Sequence, residues 1–189
     1  EDNNKKMFNN SEYLIEQVQY TTGLTTPSDN IEQTYEINQF KHPVKSLFWV
    51  IENPGTNNNN KGQGPCYFVS QTETNIYGND GINGSASILL NTDIIQTKMP
   101  IIYYTRQIPQ QLCNNTPPLD RIAMFSFAVD PFDFDPSGSC NFSKFRRKTI
   151  KATFFNNVPE IVNNKIITIY ALSYNILIIE NGKTQLLYN

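Results

Sequence analysis

The chain has 189 residues, a formal net charge of −2 and 39% hydrophobic residues, with 12 Phe and 10 Tyr but only 17% charged side chains. That is one ordinary domain's worth of chain, long enough to bury a core without metal or disulfide help and too apolar to be disordered. The near-neutral charge argues against a general nucleic-acid binder, and a single histidine, His42, all but excludes a histidine-based triad or a multi-histidine metal site. No run approaches the ~20 apolar residues of a membrane-crossing helix, and no signal peptide is visible. Cys66, Cys113 and Cys140 are odd in number and far apart. They read as three reduced thiols, with one disulfide as the alternative, which fits an intracellular site of synthesis. The chain opens on Glu1 and not Met, so we expect a processed N-terminus or a piece of something longer.

Strand-like runs follow one another at short intervals, separated by Pro, Gly and Asn clusters. The first is Tyr13–Tyr20, in which Leu14, Val18 and Tyr20 share a face with Glu16. Ile31–Asn38 is the second. His42-Pro43 reads as a turn that starts the third, Val44–Glu52, whose Trp49 is expected in the core, with an exposed sugar-stacking ring as the alternative. Asn53–Pro65 is expected as a loop, Cys66–Ser70 as a strand, Tyr77–Ser85 as a loop and Ser87–Asn91 as a strand. Gln107–Pro118, with Pro109, Pro117 and Pro118, reads as a third loop. Ile122–Val129 carries Phe125, Phe127 and Val129 on one face and Met124 and Ala128 on the other. It breaks at Asp130-Pro131 and again at Pro136-Ser137-Gly138. Thr149–Phe155 alternates, with Ile150, Ala152 and Phe154 on one side and Lys151 and Thr153 on the other. Lys165–Glu180 is apolar on both faces over two stretches and should be the most buried strand, bending near Ser173. No segment shows a helical period of convincing length. The pattern predicts an all-β fold, an eight-stranded antiparallel jelly-roll sandwich of two sheets packed face to face.

Few residues carry a chemical signature. Asp133-x-Asp135-x-Ser137-Gly138 mimics the start of a calcium loop, but its twelfth position is Lys144 and not a bidentate acid, so a plain turn with solvated acids is favoured. Asp130, Asp133 and Asp135 gain no support as glycosidase carboxylates. Lys144, Arg146, Arg147 and Lys148 are a basic cluster, either a contact to a neighbouring subunit or to acidic or nucleic material, or solvated charges at a strand entrance. The sequons at Asn9, Asn83, Asn114 and Asn141 are expected by chance in a chain so rich in Asn. No cofactor or metal is implied.

The run Ser126-Phe127-Ala128, then a proline, then Pro136-Ser137-Gly138-x-Cys140-Asn141-Phe142-Ser143 resembles the second half of the major capsid protein of nucleocytoplasmic large DNA viruses, of the iridovirus, phycodnavirus and mimivirus type. Other segments resemble that family in the same order. They are Glu12–Gln19, Phe40–Lys45 with Leu47–Ile51, Ile88–Asn91, Tyr170–Leu177 and Leu187–Asn189.

The resemblance implies a non-enzymatic structural protein of the virion, made in the host cytoplasm. It implies that residues 1–189 are a single jelly-roll domain, the C-terminal half of a longer double-jelly-roll chain. Such chains form trimeric capsomers of pseudo-hexagonal outline that tile an icosahedral shell. The implied partners are two further copies, neighbouring capsomers and minor capsid proteins, with no specific nucleic acid and no membrane insertion. Pro136, Ser137, Gly138, Cys140, Asn141, Phe142 and Ser143 would form a structural corner. Phe132, Phe134, Lys144, Arg146, Arg147 and Lys148 would be subunit contacts. The chain departs from the family in its acidic and aromatic turn Asp130–Asp135, in Lys144-Phe145-Arg146 after Asn-Phe-Ser, and in Asn181–Thr184, where the family carries Met-Gly-Gly. A single-roll binding module for carbohydrate or a host surface, or a minor capsid component, is the alternative.

Overall fold

The computed structural model describes residues 10–25, 32–52, 84–113, 122–153, 165–180 and 182–188. Ten antiparallel strands lie within them. In chain order they are β1 (Asn10–Thr25), β2 (Gln33–Glu36), β3 (Pro43–Glu52), β4 (Ser85–Leu90) and β5 (Asp93–Pro100), followed by β6 (Ile122–Ser126), β7 (Cys140–Asn141), β8 (Lys148–Thr153), β9 (Lys165–Glu180) and β10 (Lys183–Leu186). A π-helical turn, Tyr103–Gln107, leads into a short helix, α1 (Ile108–Cys113), between β5 and β6. None of the described helices is long and apolar enough to cross a membrane.

The strands divide between two sheets. One runs β1-β9-β3-β6, with β10 added on β9 and β7 on β3; the other runs β2-β8-β4-β5. Among the described strands the chain crosses from one sheet to the other at six of its nine strand-to-strand steps, staying in one sheet only from β4 to β5, β6 to β7 and β9 to β10; apolar side chains of both sheets form one cluster. From the first sheet come Val44, Leu47, Trp49 and Ile51 of β3, Ala123 of β6, and Ile167, Ile169 and Ala171 of β9. From the second come Tyr35 of β2, Ala86, Ile88 and Leu90 of β4, and Ile150 and Ala152 of β8. Each set obeys the two-residue period of a strand with one face inward, except for the three-residue step from Val44 to Leu47, where β3 carries a bulge. Trp49 is fully buried, its ring 5.1 Å from that of Tyr104, so the core expectation for it holds.

Several sequence expectations need correction. There are ten described strands and not eight, because β5, the two-residue β7 and β10 gave weak period signals. Gln107–Pro118 is not a loop throughout, since α1 occupies Ile108–Cys113. Ile101, Tyr104 and Ile108 are buried and Leu112 packs on the core, a helical spacing of 3, 4 and 4. Pro109 has no N–H to donate and crowds the preceding turn. The Ile108 N–H reaches back to the Tyr103 carbonyl, a five-residue span that widens the helix just before that proline. The strand expected to reach Val129 ends at Ser126, and Val129 is 80% exposed. Thr149 and Thr153 are buried, so β8 is covered on both faces and not on one. β9 runs unbroken; the irregularity expected near Ser173 lies in the paired strand, as a bulge at Lys45 between Val44 and Ser46. Its first half is buried, but Ile176–Ile179 are only half-buried. The strand expected at Cys66–Ser70, the loop Asn53–Pro65 and Phe154 lie outside the described residues.

Candidate functional site

The segment between β6 and β8 is held in place by its own short polar side chains. Ser126 Oγ accepts from the Ala128 amide and donates to its carbonyl, starting the turn. Asp130 Oδ1 accepts from the amides of Phe132 and Asp133, at 3.0 and 3.1 Å, and Asp133 Oδ1 accepts from that of Asp135. These carboxylates are turn formers, as Asp is wherever its oxygen can replace a backbone acceptor. Among the described residues no group of three or more His, Cys, Asp or Glu can hold a metal ion.

The corner itself closes through Ser137 and Gly138. Ser137 Oγ accepts from the Asp130 amide at 2.9 Å and donates to its carbonyl at 2.8 Å. Gly138 has φ +149, and a Cβ there would lie 2.7 Å from the Phe127 carbonyl oxygen. Only glycine allows that approach. Cys140 and Asn141 pair with Val44 and Pro43 as β7, and Asn141 Oδ1 caps the 3-10 turn Phe142–Lys144 by accepting from the Ser143 amide. Phe142 is fully buried, with the Phe127 ring 5.6 Å away. The Phe142 amide donates to the His42 carbonyl, and Ser143 Oγ accepts from the His42 amide. His42 has φ 69 and leads directly into β3, as the turn expected there. The Cys140 thiol is free and half-buried, and burial pushes it up from its ordinary value.

The turn Asp130–Asp135 projects two aromatic rings. Phe132 is 60% exposed and Phe134 64% exposed, while the neighbouring Pro131 is buried. Beneath this turn lies Lys45, aimed by its bulge toward the outer face of the sheet and only 1% exposed. Its ammonium donates to Glu16 Oε1 of β1 and to the Asp133 carbonyl at 2.6 Å, and lies 5.3 Å from the centre of the Tyr174 ring. Burial alone would lower the Lys45 pKa; hydrogen bonds and charge from Glu16 and Tyr174 outweigh it and raise it. Sequence reasoning did not find this lysine. The signal was a lone cation inside a largely apolar strand.

The basic cluster divides. Lys144, Arg146 and Arg147 are exposed, and Arg147 lies 3.8 Å from Glu36. Asn91, at φ 56 in the β4–β5 turn, clamps this segment by accepting from the amides of Arg146 and Arg147 on its Oδ1. Lys148 is a correction: it is 3% exposed and donates to the carbonyls of Phe142 and Phe145, so it is a structural cation and not a contact offered to a partner. Burial, then the nearby Lys41 charge, lowers its pKa.

The outer face of β1 is another exposed apolar surface. Leu14, Val18 and Tyr20 share it with Glu16, as the alternation implied, but it faces outward and not into the core.

A family model described as the large eukaryotic DNA virus major capsid protein matches residues 5–184. The major capsid protein of Paramecium bursaria Chlorella virus 1 is 30% identical over 216 residues, covering 94% of this chain and 48% of that relative. Probable capsid protein 4 of Acanthamoeba polyphaga mimivirus is 27% identical, covering 93% of this chain and 34% of its own length. Among solved structures, a quasi-atomic model of the PBCV-1 virus capsid superposes with a TM-score of 0.74 at 28% identity, covering 100% of this chain and 54% of that one. The Faustovirus major capsid protein superposes at 0.66 and 15% identity, a likeness of fold alone. This chain thus spans about half the length of the chlorovirus protein it matches, which is 48% covered.

Proposed function

The chain belongs to the major capsid proteins of large eukaryotic DNA viruses, and from that membership we propose that it is the second jelly roll of a double-jelly-roll capsid subunit. It is a structural protein, not an enzyme, and its place is the virion capsid. The observation that carries the jelly-roll assignment is the sheet order. Strands 1, 9, 3 and 6 run side by side in one sheet, with the short β7 and β10 added to it, and strands 2, 8, 4 and 5 form the other, so the chain crosses between two layers in the order of a jelly roll. The 48% and 54% coverage of the chlorovirus protein and structure supports a subunit with a second half of similar size.

In this proposal the subunit acts mechanically, as part of an icosahedral shell. Three copies close a capsomer through heterologous contacts, in which different patches of each subunit meet. The corner Pro136–Ser143 keeps the two exposed rings and the basic segment in fixed relation to the sheets. Phe132, Phe134, Lys144, Arg146 and Arg147 are the side chains offered to neighbouring copies. Exposed aromatics and arginines suit such a surface, since these residues dominate interface energetics. Native mass spectrometry of the protein released from particles tests this, with three copies per capsomer expected. A monomer that binds a glycan saturably would overturn it and favour the binding-module alternative.

A further inference from the structure

We infer that Lys45 is the positioning residue of the assembly surface, the buried post that joins two separate exposed apolar pairs into one composite face. Glu16 stands on β1 between Leu14 and Val18, on the same exposed side of the strand. Asp133 stands in the projecting turn between Phe132 and Phe134. One ammonium touches both: Lys45 Nζ donates to Glu16 Oε1 and to the Asp133 carbonyl. The two pairs therefore flank a single buried cation, although they are more than a hundred residues apart in sequence. The bulge between Val44 and Ser46 makes this possible, because it turns Lys45 out of the alternation that would otherwise set its direction. Tyr174 closes the site from β9, with its ring against the ammonium. A charged donor held this way is costly to bury unless every partner stays in place, so the turn and β1 must move together or not at all.

Among the described residues the turn has few other ties to the sheet. The Phe127 amide donates to the Lys45 backbone carbonyl, and the other hydrogen bonds of residues 128–137 stay within 126–137. Lys45 thus holds the turn at its base through the backbone and at its tip through the side chain. That this composite face meets another copy rests on the function proposed above; the tie itself does not.

The test uses the full chain with Lys45→Met, which keeps length and removes charge, and Glu16→Gln, which leaves Lys45 in place. Hydrogen exchange is read at the amides of Phe132, Asp133 and Asp135, and assembly is read separately by sedimentation. Both variants should speed exchange in the turn by roughly tenfold or more, the loss of a charge-assisted bond, with β8 and β9 amides unchanged. Unchanged exchange in the turn in Glu16→Gln and in any folded Lys45→Met protein would overturn the inference. If the turn loosens and assembly persists, the positioning role stands and the subunit-contact proposal falls. If the turn loosens and assembly weakens in proportion, both hold.

Discussion

Gly138 shows how much of the corner depends on one residue. Its φ of +149 lies where side-chain-bearing residues rarely go, and the added Cβ would meet the Phe127 carbonyl at 2.7 Å, a backbone atom with no room to swing aside. Gly138→Ala should therefore lower stability by about 1–3 kcal/mol, through strain and a displaced β6 terminus. Urea titration should show a lower midpoint with the same slope. A change within ~0.5 kcal/mol, the range of ordinary surface substitutions, would mean that the corner is not constrained as described. This residue was legible in the sequence, because Pro-Ser-Gly is a turn signal whatever surrounds it. Lys148 was not, although the clue was present. Four cations in five residues read as a solvated run, yet Lys148, Ile150 and Ala152 alternate, and the strand period places all three on the core face. The local charge pattern and the two-residue period disagreed, and the period prevailed because the Phe142 and Phe145 carbonyls accept the ammonium.

At the scale of elements, the helical segment between β5 and β6 was the largest omission. Pro109, Pro117 and Pro118 are loop punctuation by composition, while Ile101, Tyr104, Ile108 and Leu112 keep a helical spacing that begins before the proline-rich stretch. Tyr104 ties this segment to both sheets, with its ring on Trp49 and its hydroxyl donating to the Ala86 carbonyl at 2.9 Å. Burial first, and then the neighbouring Tyr103, pushes the Tyr104 hydroxyl far above its ordinary 10.0, and burial does the same to Tyr35. The sign follows. Above pH ~10 the unfolded chain loses these protons while the folded chain keeps them, so their contribution is intact below that pH and lost as pH rises further. Alkaline unfolding curves should therefore steepen above pH ~10. Tyr104→Phe should flatten them, while costing about 1 kcal/mol at neutral pH through the lost hydrogen bond to the Ala86 carbonyl. Equal pH slopes in the two proteins would show that Tyr104 ionises freely in the folded state. The long strands were legible because their apolar content and length are unambiguous. The two-residue β7 has no period to read, and its existence depends on β3 being there to pair with.

For the whole molecule, the question is what the exposed rings do for a chain that folds without them. Phe132 and Phe134 lie mostly in water, so truncating them removes little buried area, and Phe132→Ser with Phe134→Ser should leave urea stability within about 0.5 kcal/mol of the parent. A stable interface needs on the order of 1,000 Å² of buried surface, and a few aromatic anchors within it carry most of the energy. On the proposed capsid role, Phe132 and Phe134 are two such anchors on one turn, beside the outward side chains of β1. The double variant is then expected to release as subunits at concentrations where the parent assembles. The change should be tenfold or more in association constant if each ring contributes the ~1–2 kcal/mol usual for a buried interface aromatic. Arg146→Glu with Arg147→Glu supplies the contrast: a rim charge shifts association mainly at low salt, because screening weakens it over about 10 Å at 0.1 M. Loss of assembly in the aromatic variant at all salt concentrations, with loss in the arginine variant only at low salt, would place the rings at the centre of the contact and the basic segment at its edge. Unaltered sedimentation of the aromatic variant at subunit concentrations near the parent's dissociation midpoint would instead remove Phe132 and Phe134 from the interface.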